Sequence, residues 1–154
     1  MKKFDVECHF PGRKIALESQ ALSNLDATAV LEKFESMAWR RLRILQLQMN
    51  GANSTMTISN TETGEFIHLI MNAFSMGEEL EFRLESNIQL VVAYKDLFGL
   101  ITRKNKYTLN YPQLSLAQLQ LYLTAFVQGD FEQLTAQFKQ QMPKHAEQAQ
   151  LAIA

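Results

Sequence analysis

Residues 4–10 read Phe-Asp-Val-Glu-Cys-His-Phe, and this alternation of apolar and polar side chains decides the fold class. A period of two predicts a β-strand with one face in the core and the other in solvent. The alternation returns at residues 14–18, 45–49, 55–59 and 79–85. Because one face of each strand is polar, the strands indicate an antiparallel or mixed sheet that helices cover on one side only.

Two segments with helical spacing lie between these strands. Residues 26–41 place apolar side chains every three or four positions, and Arg40, Arg41 and Arg43 follow where cations suit the end of a helix. Residues 65–75 show similar spacing, with Gly77 as a stop signal. The sequence therefore predicts two helices in the first half of the chain.

The second half of the chain has a different pattern. Residues 88–101 fit a third helix, although the β-branched pair within it also permits a strand. A basic loop is predicted at Arg103–Lys106, and Ser115 with Gln118 forms a capping box for a helix that is apolar around much of its circumference. This helix either packs on the sheet or contacts another chain, as in a homodimer. A short helix follows it, and the tail 144–154 is expected to be flexible.

Composition narrows the class of protein. The chain has 154 residues, 47% of them hydrophobic, a formal net charge of −1 and a single cysteine. A nearly neutral chain argues against nucleic-acid binding through bulk charge. No apolar run approaches the roughly 18 residues of a membrane helix, and the N-terminus has no apolar signal region. We therefore expect a cytoplasmic protein with no internal disulfide and no membrane segment.

Three stretches resemble a known family. They are Leu25–Ala29, which reads Leu-Asp-Ala-Thr-Ala, residues 65–77, and the strand at residues 79–85. Together with the predicted order of elements over residues 13–101, they resemble HPr, the histidine-containing phosphocarrier protein of the bacterial sugar phosphotransferase system. The resemblance implies an HPr-like open-faced sandwich in residues 1–101, with an added N-terminal strand, and a helical extension in residues 102–154.

This sequence differs from that family at positions that bear on its function. By this alignment Asp26 stands where the family has its phosphorylated histidine, and Thr28 stands where it has an arginine. Glu65 falls near the family's regulatory serine, where its charge would imitate phosphoserine. The resemblance thus implies a phosphocarrier-like protein that has lost its acceptor. The alternative is that Asp26 and Glu65 are ordinary first-turn carboxylates.

The remaining candidate residues do not form a catalytic motif. His68 would lie on the second predicted helix, where it could contact a partner or accept a phosphoryl group, or be an ordinary boundary residue. Three scattered histidines and one cysteine lack the spacing of a metal site, and no motif for a cofactor is present. Arg40, Arg41 and Arg43 either form a small basic patch or are ordinary helix-end charges in solvent.

These observations predict an α+β open-faced sandwich that is not an enzyme and needs no metal or cofactor. The expected function is that of a regulatory protein that binds a protein partner. A toxin-neutralising, immunity-type protein is the alternative, and phosphoryl transfer by Asp26 or His68 is a third. The candidate partner-binding residues are Asp26, Thr28, Arg40, Arg41, Arg43, Glu65 and His68.

Overall fold

The strand predicted from residues 4–10 lies inside a six-stranded antiparallel sheet. The computed structural model describes residues 2–11, 17–48, 53–72, 79–96 and 98–140. Its helices and strands are β1 (Phe4–Pro11), β2 (Leu17–Leu25), α1 (Ala27–Ser36), α2 (Trp39–Gln48), β3 (Thr55–Asn60), β4 (Phe66–Met71), β5 (Glu81–Ser86), β6 (Gln89–Asp96), β7 (Ile101–Thr108), β8 (Tyr111–Ser115), α3 (Leu116–Gln128) and α4 (131–140). Gly77 and the tail 144–154 lie outside the described residues.

The sheet has the strand order β2-β1-β3-β4-β5-β8, and β6 and β7 form a separate two-stranded sheet. Each neighbouring pair is antiparallel. In β1 the side chains of Phe4, Val6 and Cys8 are buried, and those between them are not. The buried face shares one core cluster with Val30 and Phe34 of α1. The predicted α+β class, with an antiparallel sheet and a helical layer on it, is confirmed.

Of the two helix predictions in the first half, one was wrong and the other was confirmed apart from a break within it. Residues 66–71 of the predicted helix 65–75 form β4, where Ile67, Leu69 and Met71 alternate into the core. The predicted helix 26–41 divides at Met37, whose extended backbone ends α1. The chain then begins α2, so residues 45–48 are helical and the strand predicted there was wrong. The three arginines accordingly lie in the first half of α2 rather than at the end of a helix.

In the second half, residues 89–96 form the strand that the sequence left open, and the predicted basic loop belongs to β7. The capping box at Ser115 and Gln118 is confirmed. Most apolar side chains of α3 are buried within the chain, against α1, β5 and β8. Within the part of the chain that is described, no helix is long and apolar enough to cross a membrane.

Candidate functional site

Asp26, the residue at the expected phosphoryl position, is the N-cap of α1. Its Oδ1 accepts a hydrogen bond from the backbone N–H of Ala29 at 2.8 Å. This is the ordinary role of an aspartate before a helix, because the first backbone N–H groups of a helix lack partners within it. Thr28 follows in the first turn and is exposed. Asp26 and Thr28 are therefore together at the start of the helical layer.

The three arginines are on the next helix. Arg40 and Arg41 are exposed at the rim of a cavity of about 460 Å³ whose walls include Phe34 and Trp39. Arg43 points elsewhere and donates from Nη1 to the backbone oxygen of Glu79 at 3.5 Å. Cations near a helix N-terminus are disfavoured by the helix dipole. Arg40 and Arg41 thus form a local basic rim, and none of the three arginines lies at a dipole-stabilised helix end.

His68 lies on the opposite side of the sheet from α1. Its strand neighbours Ile67 and Leu69 belong to the core that the helices cover, so the alternation of the strand turns His68 to the uncovered face. There its Nδ1 and the hydroxyl of Thr57 are 2.6 Å apart. Burial lowers the pKa of His68, more than the charge of Glu85 raises it. Glu65, half-buried, precedes β4 in a turn. The seven candidate residues therefore do not form one surface.

The uncovered side of the sheet, here called the open face, carries a row of polar side chains across four strands. Glu7 pairs with Thr57, Thr57 with His68, and His68 with Glu85. Glu7 also accepts from His9 at 2.9 Å, and Glu85 forms an ion pair with Arg83 at 3.2 Å. Asp5 and Glu81 lie on the same face, because the alternation places them with Glu7 and Glu85. The open face is thus predominantly acidic.

The second surface is the β6–β7 hairpin, residues 89–108, here called the arm. Its base is anchored, because Leu90 and Val92 are buried in the main core and Tyr107 lies against Phe138 with ring centroids 5.5 Å apart. Beyond the base, β7 is exposed from Ile101 to Lys106. The arm therefore has a base that packs in the core and an end that is exposed to solvent.

The turn of the arm presents apolar side chains to solvent. Phe98 is as exposed as in an extended peptide, at 105%, and Leu100 is 85% exposed. Phe98 and Gly99 have positive φ angles of 58° and 84°. A type I′ hairpin turn needs positive φ at both central positions, and Asn-Gly or Asp-Gly meets that need best. A bulky aromatic residue at positive φ is a conformational outlier.

One face of the arm is basic. The pairings Val91 with Lys106, Ala93 with Lys104, and Lys95 with Thr102 place three lysines on the same side of the two strands. All three side chains are exposed. The other face carries Leu90, Val92 and Tyr107, which anchor it. The arm therefore combines a lysine face with an apolar tip.

The sequence does not by itself predict the arm, because residues 88–101 fit a helix as well as a strand and residues 103–106 read as a basic loop. A usable signal was present, since Gly99 stands between two segments that can alternate, and lysines occupy every second position at 104 and 106. Among the described residues no group of three His, Cys, Asp or Glu side chains could hold a metal ion.

The chain matches no family model, no curated protein and no solved structure. The similarity to HPr stays a hypothesis. The segment that the resemblance assigns to the family's second helix is a strand in its described part, residues 66–71. Two elements lie where the resemblance expects them: a helix begins directly after Asp26, and residues 81–86 form a strand.

Proposed function

We propose that this chain is a non-enzymatic binding protein that contacts an acidic protein surface through the arm. One observation carries the proposal: Phe98 is fully exposed and also held at positive φ. Both features cost free energy in an isolated domain, since the ring is not removed from water and the backbone is strained. Residues that break local rules without a gain in the fold are typical of functional positions.

The positive charge of the lysine face indicates what kind of partner the arm would bind. Lys95, Lys104 and Lys106 would attract carboxylates, and the apolar tip would enter a pocket on the same partner. Exposed aromatic anchors surrounded by charge are typical of binding hot spots, where the ring is buried on contact and the charges guide the approach. A cytoplasmic location is part of this proposal and is supported by the single, buried cysteine Cys8.

The test is site-specific photo-crosslinking in the cells that express the protein. A photoreactive phenylalanine analogue at position 98 should give a discrete crosslinked species. The same analogue at position 121, an exposed leucine of α3, should not give it. The species should also be lost in Lys104→Glu/Lys106→Glu. Equal crosslinking from both positions, or a species that survives the charge reversal, would contradict the proposal.

Two more specific functions are compatible with a binding protein of this kind. A regulatory protein related to the phosphocarriers would have Asp26, the N-cap of α1, at the position of the family's acceptor histidine. Incubation with phosphoenolpyruvate and the first phosphotransferase enzyme should leave the chain unphosphorylated, and a stable phosphoryl group would contradict this function. A toxin-neutralising protein would instead bind a toxin encoded beside it, and crosslinking at position 98 would identify that toxin.

A further inference from the structure

The arm and the open face carry opposite charges of equal size. Within residues 89–108, Lys95, Arg103, Lys104 and Lys106 stand against Asp96, which gives a net charge of +3. On the open face, the carboxylates of Asp5, Glu7, Glu81 and Glu85 stand against Arg83, which gives −3 with the histidines neutral. One surface of this chain is thus complementary to another surface of the same chain.

The two surfaces also match in length. The lysine face runs from the Lys95–Thr102 pair to Lys106, four residues of extended strand, which is about 13 Å. The row from Glu7 to Glu85 crosses three gaps between strands, which is about 14 Å. An arm laid across the strands would therefore bring a lysine near each end of the row.

The apolar tip would then meet a cavity. Phe98 lies in the turn that follows the end of β6 at Asp96, and so it lies further along the arm than Lys95. Beside Glu85, toward the edge of the sheet, a cavity of about 460 Å³ is lined by Phe66, Tyr111 and Pro112 among others. With Lys95 placed over Glu85, the tip would lie over this cavity. Phe66 alternates with the buried Ile67 and therefore faces this side of the sheet, where its ring suits that of Phe98 because aromatic pairs stabilise beyond simple burial.

A chain cannot make this contact with its own open face. The base of the arm is packed against α4 and the core cluster through Tyr107 and Leu90, on the helical side. In the single chain both surfaces are exposed, since Glu7, Glu85 and Lys104 all face solvent. The complementary surface must therefore come from another molecule.

We infer that the arm docks on the open face of a second copy of this chain, so that two copies exchange arms in a reciprocal dimer. This rests on the proposed role of the arm in binding and names its partner. Each arm of the dimer lies on the acidic row of the other copy, with Phe98 and Leu100 in its cavity. A two-fold axis relates the two contacts, as in most homodimers.

Sedimentation velocity of the full chain tests the inference. The wild type should form a dimer that weakens between about 0.05 M and 0.5 M NaCl, because exposed charge pairs are screened over that range. Lys104→Glu/Lys106→Glu should weaken dimerisation roughly 100-fold or more, and so should Glu7→Lys/Glu85→Lys, because like charges would then face each other. Glu32→Lys and Lys139→Glu change exposed charges elsewhere and should leave the dimer intact.

Mixing the two charge-reversed proteins is the decisive measurement. Each acidic arm then meets a basic face and each basic arm an acidic face, so a heterodimer should return to near the wild-type affinity. Rescue by mixing cannot follow from misfolding of either variant. Two reversed proteins that stay monomeric when mixed would overturn the inference.

Failure of the dimer and failure of the arm as a binding element are distinguishable. If the wild type is a monomer at all concentrations, the inference is wrong. A crosslink from position 98 to a different protein would then still support the proposed function. If the wild type is monomeric and sediments with vesicles of phosphatidylcholine and phosphatidylglycerol, with loss in Phe98→Asn, the arm binds an anionic lipid surface and both proposals are wrong.

Discussion

Replacing Phe98 with asparagine should stabilise the monomer while removing the aromatic ring from the tip of the arm. The native φ of 58° is left-handed, a region that costs an ordinary residue roughly 1–2 kcal/mol and that asparagine occupies more readily. The ring is fully exposed, so truncation removes no packing. The expected gain is about 0.5–1 kcal/mol, or roughly 1–4 °C in melting temperature for a chain of this size.

Urea denaturation at a protein concentration too low for self-association measures this change. The arm and the core should unfold together, because Leu90 and Val92 belong to the main core cluster. Leu100→Asn is the matched control: Leu100 is also exposed, is not among the positive-φ residues, and should change stability little. If Phe98→Asn loses more than about 0.5 kcal/mol, the ring has an intramolecular role and the reasoning on strain is refuted.

Three further changes probe the rest of the fold. Gln46→Ala should lower the free energy of unfolding by about 2–4 kcal/mol, because its buried amide donates to the carbonyl of Met71 and accepts from the N–H of Ser54. Gln48→Ala, on an exposed position, should cost under about 0.5 kcal/mol in the same denaturation experiment. Asp26→Ala should cost about 1 kcal/mol through loss of the helix cap, whereas Asp26→Asn should restore most of it, and an unchanged midpoint for the alanine variant would contradict the capping role. Burial lowers the pKa of His68 in the folded state, so the neutral form is favoured there; stability should be full above pH about 6.5 and fall as the pH drops below it, since the unfolded chain gains the proton first. His68→Gln should flatten that part of the pH profile in thermal denaturation, and an identical slope in both proteins would count against it.

The first strand could be predicted from its pattern because its two faces have different surroundings. Residues 4–10 lie between β2 and β3, with the helices on one side and solvent on the other. Because one face meets the core and the other meets solvent, apolar and polar side chains alternate with a period of two. The helix α3 was predictable for a similarly local reason, since Ser115 and Gln118 satisfy each other's backbone N–H groups.

The strand β4 could not be recognised in the same way. Its residues 66–71 are almost all apolar, and Ile70 is buried as well as Ile67 and Leu69. A continuous apolar run fits one side of a helix as well as a strand, so periodicity does not separate the two. Pairing with β3 and β5 makes this segment a strand, and pairing with other strands leaves no mark within the run itself.

The opposite error occurred in α2. Leu45 and Leu47 alternate with glutamines, which predicted a strand, yet the segment continues the helix that begins at Trp39. Here Leu42 and Gln46 face the core at a spacing of four, and Leu47 is exposed. The pattern predicts a solvent position for the buried Gln46, because its partners, the backbones of Ser54 and Met71, cannot be known from the sequence. Polar residues buried for hydrogen bonding therefore mislead pattern reading.

The net charge of the whole chain is also misleading, because a sum does not show that positive and negative side chains lie on different surfaces. The whole chain has a net charge of −1 and residues 89–108 have +3, so the remainder has −4. A polyanion such as DNA would attract the arm and repel the rest of the domain, which disfavours a large interface with it. An acidic patch of limited size, about as long as the lysine face, attracts the arm without that penalty. The open face of a second copy has this size and charge, so the segregated charge itself favours a partner of the same kind as the chain over a long polyanion.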